Sequence, residues 1–193
     1  MVTFFDVRDC MTSDLEDLSR ESRDVLETLV RPNWGSPERH GYGRILYGVV
    51  MNTFALADRL STYRSGGHSR QTERLKGALV EMGSGTEAAA VAVQMWRHTL
   101  MHTGMPVVLE GSMGHDRYRW LLHWGEPYLA RSHHMTLTAH PEGRVLNFGA
   151  MFAVEDLLSM SRAFFTAAEG NTKLEDLVVS AHDQLMRVQR VRF

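Results

Sequence analysis

Apolar residues recur at helical spacing through most of the chain. Between Asp14 and Val30, the residues Leu15, Leu18, Val25, Leu26 and Leu29 stand among acids, which predicts an amphipathic lead helix with a narrow buried stripe. Arg31-Pro32-Asn33-Trp34-Gly35-Ser36-Pro37 reads as a connector, because prolines and glycine punctuate it. From Tyr42 to about Tyr63 the chain is apolar around much of a helical circumference, so a long central helix buried on more than one side is expected. Gly66-Gly67 closes it, and a shorter charged helix from about Ser69 to Met82 follows. Ser84-Gly85-Thr86-Glu87 fits a capping box ahead of Ala88 to Val93. The helix it opens is expected to run to His102 or Thr103, where Gly104 and Pro106 stop it.

Beyond Pro106 the period shortens. Val107 to Leu109, Arg117 to Trp124, His134 to Ala139 and Arg144 to Phe148 have strand character, and His140-Pro141-Glu142-Gly143 predicts a turn between the last two. A small antiparallel insertion over about 106–148 is the expected arrangement. Helical spacing returns from about Ala150 to Ala168 and again from Leu174 to Val188. The predicted fold class is mainly α, a helical bundle with a small antiparallel β insertion. All 193 residues are read as a single domain, with an acidic lead helix and connector at 1–36, a core at 42–168 and a C-terminal helix at 171–193.

Composition narrows the function classes. Hydrophobic residues are 44% and charged residues 23%, an ordinary globular balance that points to neither disorder nor a disulfide scaffold. Cys10 is the single cysteine, and the first residues lack the basic flank and apolar run of a signal peptide. No apolar run approaches the ~20 residues that cross a bilayer. The expectation is a cytoplasmic protein in a reducing compartment, without a membrane partner. The net charge of −2 argues against a protein that coats nucleic acid, yet it is unevenly spread. Residues 1–30 hold eight acids against three arginines, net −5, which leaves +3 on the rest. Arg59, Arg64, Arg70, Arg74 and Lys76 lie close in sequence and would line one side of a groove or form a solvated helix face.

The segment with chemical potential is Arg97-His98-Thr99-Leu100-Met101-His102. An arginine followed five positions later by a histidine is a common pair, so its context has to carry the weight. Here it ends a helix, follows another long apolar helix, and precedes a Gly-Pro stop and a strand-rich insertion.

This arrangement resembles the HEPN superfamily, small helical proteins whose nuclease members carry Arg, a polar residue, three further residues and His. The matching residues are Arg97, His98 and His102; the helix around Val49 to Leu60 with Asp58, and the helix that follows Phe148, extend the likeness over about 42–168. The resemblance implies a HEPN-like helical bundle and a metal-independent endoribonuclease with no cofactor. Arg97, His102 and His98 would be catalytic; beside them, the clustered Arg59, Arg64, Arg70 and Arg74 are read as the RNA-binding cations, and Asp58, from its place in an apolar helix, as the group that positions Arg97. It also implies a homodimer, and a toxin or defence effector with an inhibitory protein partner. The residue types suit that chemistry. Histidine can move a proton near neutral pH, and arginine can hold phosphate oxygens with two parallel hydrogen bonds.

Helix geometry adds a constraint. On a regular α-helix five residues leave Arg97 and His102 roughly 140° apart around the axis and ~7.5 Å apart along it, so either the helix end bends or two chains build one site.

Other readings use the same residues. Cations are favoured near helix C-termini whatever the function. His98 and His102 share a helix face at zinc-ligand spacing, with Asp58, Glu155, Asp156 or His133-His134 as further ligands, though the Glu of H-E-x-x-H is missing. Arg117-Tyr118-Arg119-Trp120 would stack RNA bases or form an amphipathic edge strand. His115, His123, His133, His134 and His140 are expected at the surface. Asp58, inside an apolar helix, needs a partner: Arg97, Arg59 or a surface cation. A non-catalytic HEPN-like interaction module is the alternative to the nuclease.

Overall fold

The computed structural model describes residues 2–32, 42–67, 70–97, 109–110 and 117–188. Helix α1 (Phe4–Val25) continues into a π turn at Leu26–Val30. It starts ten residues ahead of the sequence expectation. Thr3 caps it: the Thr3 hydroxyl accepts the Asp6 amide at 3.2 Å, and the Asp6 carboxylate accepts the Thr3 amide at 2.7 Å. Phe4, Val7 and Met11 extend the buried stripe of Leu15 and Leu18 toward the N-terminus.

Helices α2 (Tyr42–Ser65), α3 (Gln71–Glu81) and α4 (Thr86–Met95) follow where apolar spacing predicts them. The capping box at Ser84 does not form. Gly85 is the N-cap, and the Glu87 carboxylate is taken instead by the Arg144 guanidinium and the Tyr118 hydroxyl of the sheet. Tertiary charge pairing outcompetes the local cap here. Strands β1 (Leu109–Glu110), β2 (Arg117–His123), β3 (Thr136–His140) and β4 (Gly143–Gly149) form a sheet in the order β1-β2-β4-β3. Helices α5 (Ala150–Ala168) and α6 (Thr172–Val188) end the described chain.

The β3–β4 hairpin is antiparallel, as the His140 to Gly143 turn predicts. The sheet as a whole is mixed, which corrects the antiparallel expectation. Residues 124–135 carry the chain from the end of β2 back to the start of β3, so β4 lies parallel to β2, with Trp120 opposite Leu146 and Leu122 opposite Phe148. One side of the sheet packs on the helices through Trp120, Leu146 and Phe148, which join residues of every helix in one apolar core. Trp120 is therefore buried, and Arg119, alternating with it, is exposed and paired with Glu142. The Trp120 ring of the Arg117 to Trp120 segment is not exposed for stacking. Among the described residues no helix is long and apolar enough to cross a membrane.

Candidate functional site

Arg97 is placed by the residue before it. Trp96 is 6% exposed and stacks on Phe54 of α2 with ring centroids 5.5 Å apart. Phe54 in turn contacts Trp120 and Phe148 of the sheet at 5.8 and 5.6 Å. This aromatic cluster fixes the end of α4 between α2 and the sheet. With Trp96 turned inward, Arg97 emerges exposed, and its guanidinium donates to the Thr72 hydroxyl in the first turn of α3.

One turn along α2 from Phe54 stands Asp58, on the same helix face. Its side chain is 19% exposed. Gln71 donates to Asp58 Oδ2 at 2.6 Å, and Arg74, only 12% exposed, lies 3.7 Å from Oδ1. Burial pushes the Asp58 carboxyl above the usual carboxylate range, opposed by the Gln71 hydrogen bond and by the charges of Arg74 and Arg97. One carboxylate thus sits in the field of two guanidiniums. That leaves the cluster cationic, the balance a phosphate needs.

The other sequence candidates separate. Arg74 joins the cluster, and a second Arg74 contact, to the Thr62 hydroxyl at 3.1 Å, ties it to α2. Arg64 lies farther along the α2–α3 seam, where it pairs with Glu81 at 2.5 Å. Arg70 is exposed at the N-cap of α3. Arg59 faces α1, where it pairs with Asp14 and approaches Met11 Sδ at 3.2 Å, so the four arginines do not line one groove. His98, His102, His115 and the Gly104-Met105-Pro106 stop lie outside the described residues. Trp96 and Arg97 adopt a π turn where the described part of this helix ends. The geometry that relates Arg97 to His102, and with it the choice between a bent helix end and two chains, lies outside the described residues.

Gln71 and Thr72 carry no sequence signal of their own. The signal for them was Asp58 itself, a carboxylate in an apolar helix that must find donors in a neighbouring element. A second polar group is also new. The His134 side chain is 4% exposed, held between the rings of Phe148 and Phe152 at 5.4 and 5.6 Å, which corrects its expected surface position. Met135, at φ 54°, breaks the strand alternation and turns the preceding residue inward. The Gly149 amide donates to His134 Nδ1 at 3.0 Å, and Nε2 lies 3.7 Å from Asp156, whose other oxygen is held by Arg131. Burial, with Arg131 nearby, lowers the His134 pKa to about 3, so the ring is neutral. Among the described residues no three His, Cys, Asp or Glu side chains group to hold a metal ion.

No family model matches the chain, and neither does any curated protein or solved structure. The HEPN resemblance therefore stands on the residues of this chain alone.

Proposed function

We propose that the protein is a metal-independent endoribonuclease of the HEPN type. The observation that supports this reading is the exposed Arg97, set by the buried Trp96 beside the largely buried Asp58 at the end of the motif helix. A ribose 2′-hydroxyl is an internal nucleophile. It attacks the adjacent phosphorus, the 5′-oxygen leaves, and the products are a 2′,3′-cyclic phosphate end and a 5′-hydroxyl end.

Arg97 holds the phosphate oxygens as charge builds in the transition state, and His102 takes or returns the proton, with His98 as the polar residue of the motif. Asp58 and Gln71 position the cationic groups. DNA lacks the attacking hydroxyl and is not a substrate. The homodimer, the role as a toxin or defence effector and the inhibitory protein partner come from the family resemblance.

The test is cleavage of end-labelled RNA in EDTA by the wild-type chain, Arg97→Ala and His102→Ala. Cleavage by the wild type and its loss in both variants is expected. Binding without cleavage would favour the non-catalytic interaction module, and chelator-sensitive cleavage a metal site.

A further inference from the structure

Arg74 belongs to two places at once. It faces Asp58 in the cluster beside Arg97, and it lines a cleft of about 350 Å³ between α2, α3 and Phe164 of α5. That volume lies in the range of small-ligand sites, about 300–1,000 Å³.

One residue of the cleft has no structural reason to be what it is. Gly77 sits inside helix α3, and a Cβ built on it meets no atom within 4 Å. Neither close packing nor a left-handed backbone calls for glycine there, and glycine inside a helix costs about 1 kcal/mol relative to alanine. What the missing side chain leaves is open space in the cleft.

The walls carry three kinds of group. Arg64 and Arg74 are cations, Glu73 and Glu81 are carboxylates, of which Glu81 pairs with Arg64, and Phe164 presents a ring, with the Arg64 guanidinium 5.9 Å from its centroid. The Ser61 and Ser65 hydroxyls each donate to a backbone carbonyl of α2, at 2.8 and 3.4 Å, which leaves their oxygens as acceptors. An inorganic anion would meet the two carboxylates and be repelled. A nucleotide uses all three: phosphate on arginine, the base face on the aromatic ring, and an exocyclic amino group on a carboxylate.

We propose that this cleft seats a nucleotide of single-stranded RNA whose base carries an exocyclic amino group, next to the linkage held at Arg97. The proposal rests on the ribonuclease reading for the identity of the chain it binds. Gly77 keeps the seat open, and Arg74 joins it to the reacting cluster.

Gly77→Leu fills the cleft from its floor. Because leucine is a better helix former than glycine, this variant is expected to melt no lower than the wild type. Binding of 2′-O-methyl oligocytidine, oligoadenosine and oligouridine to the full chain is read by fluorescence anisotropy in EDTA. The wild type is expected to prefer cytidine and adenosine over uridine, and Gly77→Leu to bind both amino-bearing oligomers about tenfold more weakly. Phe164→Leu is expected to weaken binding in the same direction.

The two readings fail separately. Weakened binding in Gly77→Leu supports the cleft even if the wild type cuts no RNA. A folded Gly77→Leu that binds and cuts like the wild type, while Arg97→Ala is inactive, overturns the cleft and leaves the nuclease standing.

Discussion

Phe54 of α2 and Trp96 of α4 lie nearly parallel, 14° between ring planes, and both are buried. The contact sets the position of Arg97, the next residue. Phe54→Ala should therefore remove stacking on Trp96 and Phe148 together and destabilise the fold by about 3–5 kcal/mol in urea denaturation. A loss below about 1 kcal/mol would mean that the aromatic cluster does not anchor the end of α4.

Asp58 is held against the preference of its charge. Its raised pKa means that the charged form is disfavoured in the fold, so any stability tied to its proton is present at acid pH and is lost as pH rises through the folded value. Asp58→Asn keeps the shape and drops the charge. Stability at neutral pH is expected within about 1 kcal/mol of the wild type, while RNA cleavage falls roughly tenfold or more, because Arg97 and Arg74 lose the anion between them. Strong destabilisation instead would make Asp58 a structural counterion of Arg74.

His134 gives the opposite pH dependence. Its folded pKa of about 3 lies below the ordinary 6.5, so the unfolded chain binds a proton that the folded chain refuses. Its contribution is complete above pH 6.5 and is lost as pH falls toward 3, at about 1.4 kcal/mol per pH unit. His134→Gln, which can still accept from the Gly149 amide, should flatten the acid limb of the stability profile by one proton. An unchanged slope from urea denaturation at a series of pH values would place His134 in contact with water.

Gly143 closes the β3–β4 hairpin at φ 132°, and a Cβ there would stand 2.1 Å from the Arg117 carbonyl oxygen. Gly143→Ala should cost about 2–4 kcal/mol and loosen β2 from β4. Thermal melting with amide exchange checks this: early exchange confined to β2–β4 is the expected pattern, and wild-type exchange would argue against the close approach.

Helix positions were legible because burial on one face repeats with the helical period, as α5 shows from Ala150 to Ala168. The start of α1 was also written in the chain, in Thr3 and Asp6, but it precedes the acidic stretch that marks the lead helix most clearly. What local spacing could not show were competitions settled across the fold. Glu87 has a capping partner three residues away and a stronger one in Arg144, 57 residues away. The parallel pairing of β2 with β4 depends on the path of residues 124–135, which carry no crossover helix to announce it. His134 is buried by the backbone turn at Met135, where alternation would have left it at the head of an edge strand. The candidate site divided in the same way. Asp58 announced that it needed a partner, and only the packing of α2 on α3 named Gln71 and Arg74.

Metal-independent cleavage of RNA through Arg97 and His102 is tested most directly on its products. Wild type, Arg97→Ala and His102→Ala, each shown folded by circular dichroism, are incubated with 5′-labelled single-stranded RNA in EDTA, and the new 3′ ends are analysed. The wild type is expected to leave 2′,3′-cyclic phosphate ends, and either variant none above background. Cleavage by both variants at the wild-type rate would rule this chemistry out.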